Sequence, residues 1–345
     1  MKSRALGPSD LDVSVFGLGT MTFGAESDEA TSHGILDRYQ EAGGRFIDTA
    51  DVYSRGISEE IIGRWLANTD RREQMVLATK ARFPMGEGPE MRGAGASYLQ
   101  RALDASLRRL GVDVIDLYQM HAWDPEVPIE ETLGALNSFV EAGKVRYIGV
   151  SNYTGWQIER TILTAQRNGW AAPVSLQPQY NLLARDIELE VMPASIENGL
   201  GLLPWSPLGG GWLTGKYAPE SRPSGATRLG EDPNRGVEAY DRRNTDRTWS
   251  ILAEVEQMAR RRGVTMSQVA LNWLRNRPSV SSVLLGVRTV DQLEDNLGAL
   301  EWDLDDSEME DLTRVSAPGI PDYVHGFLDD LAGVDIWRRL GTTFR

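Results

Sequence analysis

Residues 43–66 read GGRFIDTADVYSRGISEEIIGRWL. Phe46 to Asp48 is a short apolar run of strand type, and Ile61, Ile62, Trp65 and Leu66 recur at the three- and four-residue spacing of one helix face. A polar turn separates the two. Ser58, with Glu59 and Glu60 behind it, reads as a helix cap followed by an acidic first turn. The unit is strand, turn, helix.

The same unit repeats along the chain. Strand-like runs fall at Val15–Gly19, Phe46–Asp48, Met75–Thr79, Val114–Gln119, Val145–Val150, Val174–Gln177, Gly201–Trp205 and Ser282–Leu285. Helical stretches lie at Thr31–Ala42, from Ser58, at Ser97–Leu110, Ile129–Ala142, Gln157–Arg167, Ile187–Asn198 and Asp246–Arg262. The strands are short and apolar enough to be covered on both faces, as in a parallel sheet. Eight such units predict a closed (β/α)8 barrel, the TIM-barrel fold, in the α/β class. An open doubly wound sheet would begin with a three-glycine fingerprint, and Gly17-Leu18-Gly19-Thr20-Met21-Thr22 lacks the third glycine.

Three segments stand outside the repeat. Residues 1–14, with Gly7-Pro8-Ser9-Asp10 between two extended stretches, read as an N-terminal β-hairpin capping the barrel floor. Tyr217 to Asn244, rich in Pro, Gly and charge, is a long loop after strand 7, either a lid or a floppy insertion. The C-terminal extension carries Phe327, Leu328, Leu331, Ile336 and Trp337, which suggest docking on the body. A single domain spanning 1–345 is expected, with its core at about 4–312 and the extension at 313–345.

Composition narrows the chemistry. The 345 residues carry 50 Asp and Glu against 36 Lys and Arg, a formal charge of −14. Such a chain repels phosphate backbones and anionic lipid, so neither nucleic acid nor a membrane surface is an expected partner. No run approaches the ~18 apolar residues of a membrane span, and a cytoplasmic protein is expected. The absence of Cys excludes disulfides, thiolate metal sites and a cysteine nucleophile. His33 and His325 have no second ligand at metal spacing, so no metal site is expected. Gly210 to Lys216 has the G-x-x-x-x-G-K spacing, but Tyr217 stands where a phosphate loop needs Ser or Thr for magnesium. Asn152-Tyr153-Thr154 is a formal glycosylation sequon only.

Residues just past barrel strand ends share one mouth. Asp48 ends the second strand with Tyr53 five residues on, Lys80 follows the third, and His121 follows the fourth. The chain has three His and four Lys, so two scarce residue types fall at adjacent strand ends. A free tyrosine titrates near pH ~10, and an ammonium within ~4–6 Å is expected to lower that value. Asp48 would keep Lys80 charged, and His121 could hydrogen-bond a carbonyl oxygen that Tyr53 protonates.

Those residues carry a family resemblance. Residues 43–66, Thr79-Lys80, Asp116 to His121, Gly149 to Asn152, Gln177 to Asn181, Pro204 to Leu208, and Gly286 through Gln292 to Asn296 together resemble the aldo-keto reductases. The family folds as a β/α barrel and reduces aldehydes and ketones with a nicotinamide cofactor, usually NADPH, with NADH the alternative. The resemblance makes Tyr53 the general acid/base, Lys80 and Asp48 its tuning partners, and His121 the carbonyl-orienting residue. In Trp205 to Leu208 and Gly215 to Tyr217 the sequence also resembles the potassium-channel β subunits, cofactor-binding regulators that have asparagine where His121 stands; the histidine favours an ordinary enzyme, and a slow NADP(H) sensor is the alternative.

For the cofactor, the resemblance assigns Ser151, Asn152 and Gln177 to the carboxamide and Trp205 to stacking on the nicotinamide. It assigns Ser206, Pro207, Leu208, Gly210 and Lys216 to the pyrophosphate segment, Arg288 to the adenosine 2′-phosphate, and Gln292 and Asn296 to the adenine, with Gly286 also among the cofactor-binding residues. Thr20, Met21 and Asp48 complete the mouth. Phe23 and Trp123 are candidate walls for a small carbonyl substrate beside Tyr53 and His121. The sequence is silent on oligomeric state and on the substrate's identity.

Overall fold

Strand β3 (Phe16–Gly19) is hydrogen-bonded in parallel to β4 (Phe46–Asp48), and the series continues through β5 (Val76–Ala81), β6 (Ile115–Met120), β7 (Val145–Ser151), β8 (Ser175–Gln177) and β9 (Gly201–Leu202). The last strand, β10 (Val283–Gly286), pairs in parallel with β3. On its other side a parallel bridge joins Leu202 to Val280, and Leu284 N–H donates to the Pro204 carbonyl at 3.0 Å. The ring of eight strands is thereby closed, as the repeat predicts. These features come from a computed structural model that describes residues 1–67, 71–225, 228–232, 236–319, 321 and 325–327.

The chain folds into two compact units. The first comprises 1–178, 190–205 and 279–294, and contains all eight barrel strands; the second comprises 179–189, 206–278 and 295–345. In the first unit, β1 (Ser3–Ala5) and β2 (Asp12–Ser14) form the expected antiparallel hairpin. Leu6, Leu11 and Val13 bury against Phe46, Ala78, Leu117, Val174, Leu203 and Leu284, so the hairpin fills one end of the barrel with apolar side chains. Helices α1 (Glu29–Glu41), α2 (Ile57–Ala67), α3 (Ala96–Leu110), α4 (Ile129–Glu141), α5 (Gly155–Asn168) and α6 (Val191–Glu197) pack in chain order, each on the next where their strands are adjacent.

Several sequence expectations shift. The run at 201–205 is a strand only at Gly201–Leu202, because Pro204 has no N–H to continue the ladder. The helix expected over 187–198 begins at Val191, after a 3-10 turn at Asp186–Leu189. Pro193 is tolerated only in a first helical turn, which sets that start. Ser58 is not a cap. It lies inside α2 with its hydroxyl buried against Thr49 Oγ1 at 2.9 Å, the Thr20 carbonyl at 3.0 Å and Thr20 Oγ1 at 2.9 Å. Glu59 does lie in the first turn of α2, but it is fully buried, pairs with Arg109 at 2.6 Å and accepts from Thr79 Oγ1 at 2.6 Å. Gly56, at φ +94°, makes room for this arginine, since a Cβ there would stand 2.7 Å from Arg109 Cδ.

The second unit is helical among its described residues, with short α7 (Arg228–Glu231) and α8 (Tyr240–Arg243), then α9 (Asp246–Arg262), α10 (Met266–Arg275) and α12 (Asp306–Val315). The intervening α11 (Val290–Leu297) follows β10. Helices α10, α11 and α12 extend the helical pattern read from sequence; Thr265 caps α10, and Asp305 with Glu308 forms a capping box on α12. Among the described residues of 217–244, Glu238 is buried and accepts from Gln179 Nε2 at 2.5 Å, Ser206 Oγ at 3.1 Å and Arg243 Nε at 2.9 Å. Tyr240 stacks on Trp212 at 5.5 Å. Of the tail residues expected to dock, Phe327 is 52% exposed, and Leu328, Leu331, Ile336 and Trp337 lie outside the described residues. Among the described residues no helix is long and apolar enough to cross a membrane.

Candidate active site

Parallel pairing places Asp48 beside Ala78 and Lys80 beside Gln119, so consecutive strand ends deliver their side chains to one place in the first unit. Lys80 is fully buried and spends its three N–H bonds on Asp48 Oδ2 at 2.5 Å, the Thr49 carbonyl at 2.8 Å and Tyr53 Oη at 3.1 Å. Asp48 Oδ1 accepts from Gln119 Nε2 and Gln177 Nε2, each at 2.9 Å. Both carboxylate oxygens are thus satisfied, as a buried charge requires. Tyr53 opens a 3-10 turn in which Ser54 and Arg55 take positive φ, and Ser54 Oγ pins the turn to the Phe23 carbonyl at 2.8 Å.

His121 completes the group. Its ring lies edge-on to Tyr53 at 5.8 Å and against Phe83 at 4.4 Å, and its Nδ1 is buried without a hydrogen-bond partner among the described residues. The Ala81 carbonyl accepts the His121 N–H at 3.0 Å, and the His121 carbonyl accepts from Asn152 Nδ2 at 2.9 Å. The backbone that carries the imidazole is therefore held by the end of β5 and by Asn152.

Electrostatics assign the protonation states. Burial works against a charged Lys80, but Asp48 and Tyr53 together overcome it and raise the ammonium above its ordinary value. For Tyr53, burial outweighs the lowering effect of Lys80, and Asp48 adds to the rise. The expected downward shift of the phenol does not occur in this state: near neutrality Tyr53 is a protonated acid beside a cation. Burial, then the charges of Lys80 and Arg82, hold His121 well below its usual range, so it is a neutral imidazole. Asp51, three residues past Asp48 and fully enclosed, is pushed up to about 7 by burial first and then by Glu59.

The residues assigned to the cofactor divide. In the first unit Asn152, at φ +57°, donates from Nδ2 and accepts the Trp205 indole N–H on Oδ1 at 3.0 Å. Trp205 itself is only partly buried. Gln177 Nε2 is committed to Asp48 and Gln119, leaving Oε1 to accept from a ligand amide. Ser151 is a buried link, donating to the Gln177 carbonyl at 2.8 Å and accepting from Asn152. Thr20 is fully enclosed, with N–H and Oγ1 both donated to the Asp48 carbonyl. The Phe23 ring is fully buried. Met21 is 38% exposed. Trp123 is half-buried and meets Tyr153 and Trp156 edge-on at 5.3 Å.

Gly286 is the exposed end of β10. Arg288 pairs with Glu26 at 3.4 Å, and Gln292 Oε1 accepts the Arg288 N–H at 2.9 Å. In the second unit Ser206 has φ +54° and Gly210 φ +64°, within a turn where Gly209, Gly210 and Gly211 all take positive φ. Pro207 is buried, Leu208 is half-buried and Lys216 is exposed, its ammonium 5.4 Å from the Tyr217 ring. Asn296 is buried. Sequence reasoning missed Gln119, Glu59, Asp51, Arg82 and Phe83. Gln119 lies two positions along β6 from the core residue Leu117, on the same face, and could have been found by strand alternation. Among the described residues no cluster of His, Asp or Glu could hold a metal ion.

A family model for the aldo/keto reductase family matches residues 15–317. The chain belongs to this family. Among its relatives is a Bacillus subtilis protein described as uncharacterized oxidoreductase YrpG, 37% identical over 88% of this chain and 93% of its own. A Schizosaccharomyces pombe protein described as aldo-keto reductase yakc [NADP(+)] is 35% identical over 87% of each chain. A probable voltage-gated potassium channel subunit beta from Oryza sativa is 34% identical over 87% of this chain and 92% of its own. Membership makes this aldo/keto reductase an oxidoreductase built on a (β/α)8 barrel.

Proposed function

We propose that this aldo/keto reductase reduces a small aldehyde or ketone to the alcohol with NADPH, in the cytoplasm. The observation that carries the reading is the single contact of a buried, Asp48-held Lys80 with the Tyr53 hydroxyl at 3.1 Å. The acceptors present suit a nicotinamide: Gln177 Oε1 and the second lone pair of Asn152 Oδ1 can accept from a carboxamide, and Trp205 offers a partly open indole face. When bound, the cofactor supplies the hydride. Neutral His121 orients the carbonyl oxygen, and protonated Tyr53 gives its proton to that oxygen as negative charge develops. Lys80 stabilises the phenolate left behind, and Asp48, braced by Gln119 and Gln177, holds Lys80 in place. Ser206, Leu208, Gly210 and Lys216 are proposed for the pyrophosphate, and Arg288 with Gln292 for the adenosine end.

The test is Tyr53→Phe. Carbonyl reduction should fall by about 10²- to 10⁴-fold while NADPH binding, read by fluorescence titration, persists. Full activity would remove the mechanism. The likeness to potassium channel β subunits supports a second reading, a slow NADP(H)-binding regulator. Single-turnover hydride transfer far faster than steady-state cycling across a carbonyl panel would favour it.

A further inference from the structure

Arg82 stands immediately after β5, two residues beyond Lys80, and takes φ +128°. A long non-glycine side chain rarely adopts this backbone, which costs about 1–3 kcal/mol and persists only where neighbours enforce it. Here Gly93 N–H holds the Arg82 carbonyl at 2.9 Å, and the Ala81 carbonyl before it takes His121 N–H. The guanidinium lies at one end of a short chain of rings. It lies 5.6 Å over Phe83, whose ring lies 4.4 Å from His121.

That guanidinium makes no side-chain hydrogen bond among the described residues. Its Nε is buried without a partner. Its one ion pair is loose, Nη2 to Asp124 Oδ1 at 3.8 Å, beyond hydrogen-bond length. Asp124 is already engaged elsewhere, accepting from Ala94 N–H at 2.9 Å on Oδ2 and from Glu126 N–H at 3.1 Å on Oδ1. A buried donor left unmet is costly, and a planar guanidinium matches carboxylate and phosphate oxygens better than any other ligand group.

We propose that Arg82 is a specificity-determining residue that selects carbonyl substrates carrying an anionic group, a carboxylate or a phosphate, about one ring's length from the reacting carbonyl. The inference rests on the carbonyl-reductase reading above. With the carbonyl at Tyr53 and His121, Phe83 forms the wall between the two ends and Arg82 takes the acid by charge-assisted hydrogen bonds.

Matched pairs that differ in charge test it: 4-carboxybenzaldehyde against methyl 4-formylbenzoate, and glyceraldehyde 3-phosphate against glyceraldehyde, each with NADPH. Wild type should favour the anionic member by about 10- to 100-fold in kcat/KM, mostly through KM. The pair with the larger ratio tells carboxylate from phosphate. Arg82→Gln should bring the ratio near one, and Arg82→Lys should keep part of it. A ratio near one in wild type, or an unchanged ratio in Arg82→Gln, overturns the proposal while turnover of the neutral aldehydes upholds the reductase reading. Should wild type reduce no carbonyl at all, the reductase reading falls and calorimetric titration with 4-carboxybenzaldehyde still reads Arg82. Weaker binding to Arg82→Gln supports the assignment; equal or absent binding overturns it.

Discussion

Gln177 donates its side-chain amide to Asp48 Oδ1 at 2.9 Å, on the oxygen opposite the one that holds Lys80. Gln119 reaches the same Oδ1 at 2.9 Å. The aspartate is thereby fixed from behind, and the direction in which it holds the lysine is set by two neutral side chains on separate strands.

Gln119 is fully buried, so its removal isolates this bracing from ligand contact. Gln119→Leu leaves a buried carboxylate oxygen short of a donor, an expected cost of about 1–3 kcal/mol in stability. The rate constant kcat should fall about 10-fold while the NADPH Kd stays near the wild-type value. Gln177→Leu should lose both, since its Oε1 is the proposed carboxamide acceptor. Steady-state kinetics with fluorescence titration of NADPH separates the two; equal cofactor weakening in both variants would contradict the division.

Asp51 makes the fold pH-sensitive. Its folded value of about 7 lies above the ~3.9 of a free Asp, so the unfolded chain releases this proton more readily. The group therefore costs nothing below pH ~4 and progressively destabilises the native state as pH rises to about 7. Asp51→Asn should match wild type near pH 4 and exceed it at pH 8, by at most about 4 kcal/mol. Urea unfolding at both values checks this, and a difference independent of pH would contradict it.

The buried Glu59–Arg109 pair should behave asymmetrically. Glu59→Ala strands the guanidinium and the Thr79 hydroxyl, with an expected loss of about 3–5 kcal/mol. Glu59→Leu combined with Arg109→Leu should recover much of that loss, because neither charge is then left alone. Thermal melts of the single and double variants measure the coupling, and strict additivity would argue against a paired charge.

Arg288 already faces a carboxylate, Glu26, at 3.4 Å. Should it take the adenosine 2′-phosphate, Arg288→Ala will weaken NADPH by about 10- to 100-fold and leave NADH nearly unchanged. Glu26→Gln should tighten NADPH modestly by removing a competing anion. Equal NADPH and NADH affinities in wild type would refute the assignment.

Much of the first unit was legible in the chain. Buried parallel strands are short, apolar and regularly spaced, and strand ends in a barrel share a mouth, so Asp48, Tyr53, Lys80 and His121 could be picked out before any coordinates. Thr20 and Phe23 could not be placed the same way. Both follow a barrel strand, yet Thr20 turns back to the Asp48 carbonyl and Phe23 is sealed behind the Tyr53 turn. Position after a strand tells which end of the barrel a residue occupies, but not whether the next loop covers it.

The sequence by itself determined the eight strand–helix units, the hairpin, and the type and order of the reacting groups, because apolar periodicity and turn chemistry are local properties. The tertiary structure alone decided the protonation of Tyr53, the enclosure of Glu59 and Asp51, and the strained course of Arg82. Each of these depends on what distant segments place around a charge, and desolvation has no signature in a residue's own neighbours along the chain.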